Sequence, residues 1–263
     1  MIEHFSYGYI TLPVAFLVSM TGSALGLLVA RHARRYEQPG RRVPWLIVAA
    51  FAIGGPGIWV MHFVAMLGFS IEDATLLYDP ALTTLSAVVA VAVLAGGLLI
   101  IGLGRYSTLK LLLAGLFAGA GIAAMHYMGM AAVSADVHLT HRTGYVIAAV
   151  AIAVVAATTA LWLSWRLQRT SAIWLAAIVM ALAVNLMHYT AMLGIEVGGE
   201  SAERVHGAQS MDLIFPMATL TAIVLLVLIY TVVTAPTEAE MRTDARMSSI
   251  EDDLRPATGP SRR

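Results

Sequence analysis

Met61-His62-Phe63-Val64-Ala65-Met66 decides the fold, because the chain writes this pattern three times. It returns as Met125-His126-Tyr127-Met128-Gly129-Met130 and as Met187-His188-Tyr189-Thr190-Ala191-Met192. Each copy sits near the end of a long apolar run. The steps from His62 to His126 and from His126 to His188 are nearly equal, and each leaves room for two membrane crossings. A polar imidazole and two thioethers thus recur at one point of a repeated two-helix unit.

Composition fixes the environment. The 263 residues are 59% hydrophobic and 12% charged, against about a quarter charged in soluble domains. Seven stretches approach or exceed the roughly 20 apolar residues that span a bilayer: 8–30, 44–69, 81–103, 109–133, 145–165, 172–195 and 211–234. Gly54-Gly55-Pro56-Gly57 lies inside the second and is compatible with a membrane helix. The expected architecture is an all-α integral membrane protein of seven transmembrane helices. Three two-helix repeats (about 8–69, 81–133 and 145–195) are followed by an extra helix, 211–234. Residues 1–234 form the membrane domain, and the polar stretch 235–263 reads as a disordered cytoplasmic tail. That stretch is far too short for a catalytic domain.

Charge sets the orientation. Fourteen of the 16 basic residues fall in alternate loops and the tail, starting with Arg31, Arg34, Arg35, Arg41 and Arg42; Arg142 and Arg204 alone lie opposite. The positive-inside rule then puts the N-terminus outside and the tail in the cytoplasm. A basic cluster after the first span, not before it, also argues against a cleaved signal peptide. The net charge of zero gives no reason to expect a nucleic-acid partner. By this topology His4, His62, His126, His138, His141, His188 and His206 face outside, and His32 faces inside. Measured from Pro44, Leu109 and Ala172, the three motif histidines lie about 24–27 Å from the cytoplasmic end, level with one another.

Within each motif the histidine and the later methionine are four apart and share a helix face. That pairs His62 with Met66, His126 with Met130, and His188 with Met192. The leading Met61, Met125 and Met187 lie about 100° round the helix. Imidazole with thioether and no cysteine suits a soft ion, copper before zinc. Each residue also has an ordinary use: an interhelical hydrogen bond, core packing, an aromatic belt. Recurrence in one order at one depth favours function. Asp79 reads either as an orienting partner for a ligating imidazole or as a helix start before Pro80. Asn185 reads as a hydrogen-bonding group between helices. Asp73, Asp136, Glu196 and Glu203 read as solvated loop charges.

The three motifs, their pairing with two spans each, and Tyr78-Asp79-Pro80 resemble the MHYT family of bacterial integral membrane sensor domains. Met187-His188-Tyr189-Thr190 is the family's name motif; the first copy departs from it with Phe63-Val64 and the second with Met128. The resemblance covers about residues 8–200 and beyond. It implies a non-enzymatic sensor in the bacterial inner membrane that binds O2, CO or NO through copper. The ligand set it implies is His62, Met66, His126, Met130, His188 and Met192, helped by Met61, Met125 and Met187. Relatives often carry GGDEF, EAL or histidine-kinase domains. None is written here, so the expectation is a stand-alone module signalling to a separate cytoplasmic partner. Beside the lipid bilayer and a diatomic gas ligand, two other classes stay open. One is a haem-bearing or redox subunit, since His and Met are also haem ligands. The other is a transporter or a ligand-free structural subunit. A retinal protein is excluded in practice, since the one lysine, Lys110, lies at the edge of the fourth span.

Overall fold

The computed structural model describes residues 8–72, 74–200 and 205–236, with isolated positions nearer the termini. His4, Asp73, Glu203 and nearly all of the expected tail lie outside the described residues. Among the described residues, seven helices are long and apolar enough to cross a membrane. They are α1 (Thr11–Ala33), a composite second span, α4 (Pro80–Gly102), α5 (Thr108–Ala131), α6 (Thr143–Arg166), α7 (Thr170–Met192) and α8 (Ser210–Val233). The composite span joins α2 (Pro39–Ala52), a π-helix (Ile53–Val60) and α3 (Met61–Met66). Each expected span is found, with ends shifted by a few residues where caps and turns, rather than hydropathy, set the boundary.

The first six spans close into a ring. α1 packs on the second span, that span on α4, and so on through α5, α6 and α7, which returns to α1. α8 stands outside the ring against α1 and the second span. Its Phe215, Leu226, Tyr230 and Val233 are exposed, as suits a lipid-facing helix. The outer loops are not pure coil, a difference from the all-helical expectation. Short antiparallel ribbons tie them together: β1 (Ile2–Glu3) with β2 (Ser70–Ile71), β3 (Leu76–Tyr78) with β4 (Val133–Ala135), and β5 (Val137–His141) with β6 (Ile195–Glu200). Loop backbone near a membrane must still pair its N–H and C=O groups, and each ribbon does this between the entry and the exit of one repeat.

At the opposite end the basic residues act as caps. The terminal carbonyls of a helix lack intrahelical donors and carry partial negative charge. Arg42 donates through Nη1 to Gly102 O at 2.9 Å, and Lys110 through Nζ to Leu103 O at 3.0 Å, closing α4. Arg31 reaches Gln168 O at 3.0 Å and Arg34 reaches Leu167 O, closing α6. Burial lowers the Arg34 pKa to about 10, which leaves the guanidinium charged at neutral pH.

The second span departs from the simple helix expected. It runs 28 residues where α5 and α7 run 24 and 23. Pro56 has no N–H to give back to Ala52 O, and the surrounding glycines let the turns widen into i→i+5 bonding. A π-helix packs more residues into each turn, so the longer span still brings His62 level with His126 and His188. α1 holds this segment closely. Ser19 Oγ donates to Gly57 O at 2.6 Å. A Cβ on Gly22 would lie 2.4 Å from Gly57 N and 2.7 Å from Ala52 O. Those are backbone atoms and cannot move aside as a side-chain tip can. Gly22→Val should therefore separate α1 from the π-helix and cost at least the ~1–3 kcal/mol of an overpacked core. The check is a lowered Tm of the detergent-solubilised protein, with Leu17→Val, at an exposed position of the same helix, as the control.

Candidate metal centre

Three elements bring the motif histidines to the ring axis: α3 supplies His62, α5 His126 and α7 His188. Each residue is 1% exposed. The ring centroids are 4.9, 5.0 and 5.1 Å apart, and each pair of planes lies at 75–83°. The rings are thus arranged with near three-fold symmetry, although they come from three different repeats. His62 Nδ1 is 3.0 Å from His188 Nδ1 and 3.2 Å from His126 Nδ1. One nitrogen from each ring lies within 4.8 Å of the other two.

This geometry fits a cation. A neutral imidazole nitrogen offers either one N–H or one in-plane lone pair. Without an ion, both contacts of His62 Nδ1 can be hydrogen bonds only if its single N–H or its single lone pair is shared between two partners. A cation at the centre would accept all three lone pairs. Nitrogens about 2.0–2.1 Å from one ion lie about 3.3–3.5 Å apart, so the triad would open by only a few tenths of an ångström. Ligation through Nδ1 puts each proton on Nε2. The Nε2 atoms of His62 and His126 are buried without hydrogen-bond partners among the described residues, an uncompensated feature of the site.

Local sequence seats the rings. Gly129, one residue before Met130, makes room for His62: a Cβ there would come within 2.5 Å of His62 Nε2. Trp59 Nε1 donates to Ser86 Oγ at 2.9 Å, and Ser86 Oγ to Thr83 O at 2.7 Å, which anchors the second span to α4 one turn before His62.

The six expected methionines, Met61, Met66, Met125, Met130, Met187 and Met192, are all buried. Met66 borders an apolar groove between α1, α3 and α8, and Met187 lines an internal cavity. The histidine nitrogens form a group within metal range, and the six methionines are buried in the core around it.

One pair of alternatives is decided, in favour of the helix start at Asp79, and one expectation, for Asn185, is corrected. Asp79 does not orient an imidazole. Its Oδ1 accepts from Ala81 N and Leu82 N at 2.7 and 3.0 Å, so it is the N-cap of α4, with Pro80 in the first turn. Asn185 does not bridge helices through its amide N–H, which returns to Ala181 O of its own helix at 2.8 Å. The loop charges Asp136 and Glu196 are used locally: Asp136 accepts from Thr75 N, and Glu196 pairs with Arg142 at 3.5 Å in the open.

Three features escaped the sequence reading. Gly129 is one. The second is an apolar cavity lined by Ile58, Ile122 and Val184, each one helical turn before its histidine, and by Ser23, Leu94 and Ala157 from the intervening helices. Writing the three repeats in register would have revealed that aliphatic layer. The third is His141, whose ring meets Tyr127 edge-on at 5.3 Å. Burial lowers the His141 pKa, which keeps the ring neutral at neutral pH.

Comparison with known proteins agrees with this organisation. The family model "MHYT: Bacterial signalling protein N terminal repeat" matches residues 55–115 and 119–177. Each match starts just before a motif and runs into the following outward helix, and the third motif falls outside both. The bifunctional diguanylate cyclase/cyclic di-GMP phosphodiesterase MucR of Pseudomonas aeruginosa is 37% identical over 71% of this chain and 28% of its own length. The cyclic di-GMP phosphodiesterase NbdA of the same organism is 34% identical over 74% of this chain and 25% of its own. The signaling protein YkoW of Bacillus subtilis is 27% identical over 72% and 24%. The chain thus spans about a quarter of the length of these curated relatives. No solved structure matches it. With seven spans, the repeated motif and these matches in hand, the chain is a multi-pass protein of the bacterial inner membrane and belongs to the MHYT family.

Proposed function

We propose that the protein is a membrane sensor module in which His62, His126 and His188 hold one metal ion, copper, close to the outer face, and that a diatomic gas is its signal. The observation that carries this reading is the convergence of three buried Nδ1 atoms on one point. Three imidazoles alone suit several transition metals. The thioether-rich surroundings and the absence of cysteine favour copper among them. When bound, Cu(I) would supply a soft centre able to take a small π-acceptor ligand. The chain's own part is to fix three donors, exclude water, and leave an apolar space beneath. That space is about 20 Å³ and lies under the triad on the ring axis, enough for one small molecule. An apolar gas would reach it from the lipid side without crossing a polar barrier.

A haem reading is less well supported. Two axial imidazole nitrogens on opposite sides of one iron stand about 4 Å apart, with the porphyrin between them. The edge-on rings here approach to 3.0 and 3.2 Å. Signalling is the common theme of the relatives' names, and we carry over only that. The enzymatic activities named for MucR and NbdA are theirs. Output from this chain would pass to a cytoplasmic partner through the arginine-rich face.

Metal analysis of the purified protein tests the centre. Copper should be stoichiometric in the wild type and absent after His62, His126 and His188 are all changed to Ala. Any single change should weaken Cu(I) by about 100-fold or more, beyond the 10–100-fold typical of outer-sphere partners. Equal trace copper in wild type and triple variant would end the proposal, and a preference for zinc would end its copper part. The gas step is separable. Ala157→Leu should fill the cavity and lower CO affinity of the Cu(I) form by about tenfold or more, with copper content unchanged. The CO stretching band in the infrared spectrum reports this directly.

A further inference from the structure

The triad is sealed. Its three histidines are 1% exposed, and the ribbons cover the outer end of the ring. In the first two repeats the motif aromatic meets a residue of an outer ribbon, and the two contacts are not alike. In the first repeat Phe63 packs on Tyr78 of β3, centroids 6.4 Å apart, and Tyr78 is only 3% exposed. In the second repeat Tyr127 packs on His141 of β5 at 5.3 Å.

Tyr78 and His141 hold corresponding places. Each ends a ribbon strand just before an inward-running helix, at nearly the same sequence distance from its motif aromatic. The fold asks only for a flat ring there, and Tyr78 fulfils that. At His141 the chain adds chemistry instead. His141 Nε2 and Tyr127 Oη are both buried and have no hydrogen-bond partner among the described residues. Burying such groups unpaired is costly, so two of them side by side call for an occupant. Tyr127 in turn meets His126 edge-on, with centroids 5.0 Å apart.

We infer that His141 and Tyr127 form the metal's way in: an ion arriving at the outer face is held first by His141 and then passes beside Tyr127 to His126 and the triad. The inference rests on the triad holding a metal. The cargo is a soft transition-metal cation, Cu(I). The step is ligand exchange, in which one imidazole nitrogen replaces another at the ion with no change of oxidation state. His141 is intermediate in exposure and sits on the β5–β6 ribbon, so it can meet an outside donor while its free nitrogen faces inward. Tyr127 gives the passing ion a polar wall where Phe63 would not.

A route residue differs from a resting ligand in its kinetics. It changes the barrier, so loading and release slow together and the equilibrium affinity holds. The experiment uses the full chain in nanodiscs, stripped with a chelator, then mixed in a stopped-flow cell with Cu(I) bicinchoninate. His141→Gln should slow both loading and release by about tenfold. Its affinity, read by competition with the same chelator, should stay within about twofold of wild type. His141→Met restores a soft donor and should recover most of the rate, which a merely structural role for the ring would not allow. Equal loading rates in wild type and His141→Gln would overturn the route alone. A loss of affinity with unchanged loading would make His141 a resting ligand and overturn it too. A wild type that binds no copper removes the triad reading, and the route with it.

Discussion

Three imidazoles must meet on the axis of a ring of apolar helices, and most of the structure can be read as the means of making them meet. In the hydrocarbon there is no water to satisfy a ring nitrogen, so each histidine must find its partner inside the protein. The nearest partners are the other two histidines. That requires three separate repeats to deliver a side chain to one height and one azimuth. The outer ribbons join β3 to β4 and β5 to β6, closing the outer ends of the second and third repeats on themselves. The arginine caps link repeats at the opposite end, where Arg42 of the first closes α4 of the second and Arg31 and Arg34 reach the end of α6 in the third. Residues that orient the protein in the membrane therefore also fix the relative height of its helices.

Much of this is legible in the sequence. Hydropathy and the arginine loops mark the spans within a few residues, and the spacing of the three motifs puts the histidines at a common depth. The helix start at Asp79 is legible from Pro80 after it, whereas an imidazole partner for Asp79 and an interhelical bond for Asn185 are readings that local chemistry overrides. Each has a backbone partner within a few residues in its own chain segment, Ala81 N for Asp79 and Ala181 O for Asn185. A local hydrogen bond costs little ordering entropy and wins over a distant one. His141 reads as one more outer histidine, with nothing in the sequence to tie it to the motif. Its neighbour Tyr127 lies on the preceding helix, and the two rings meet only because the ribbon folds back over that helix end.

The three repeats are alike in pattern and unequal in detail. His126 and His188 stand on straight α-helices, α5 and α7. His62 stands just beyond the π-helix, and its ring is pressed against Gly129. It is also the ring whose Nδ1 contacts both of the others. The central member of the triad is thus carried by the one span, among the described residues, whose hydrogen-bond ladder is not the regular i→i+4 form.

That inequality bears on how occupancy of the site can be felt elsewhere. A ligand signals only if it favours one arrangement over another. Ligation by a metal would move the Nδ1 atoms from 3.0 and 3.2 Å toward about 3.3–3.5 Å. His126 and His188 sit on helices with complete ladders, each leading into a ribbon strand. A regular α-helix resists axial distortion, whereas a π-helix borders on the α form and can pass a residue along its length. The displacement therefore falls on the Ile53–Val60 segment, which α1 grips through Ser19 Oγ and the Gly22–Gly57 contact. α1 ends in the cytoplasmic cluster of Arg31 and His32, with Arg34 just beyond. A change of a few tenths of an ångström at the triad thus has a continuous packed path, through backbone rather than flexible side chains, to the basic face.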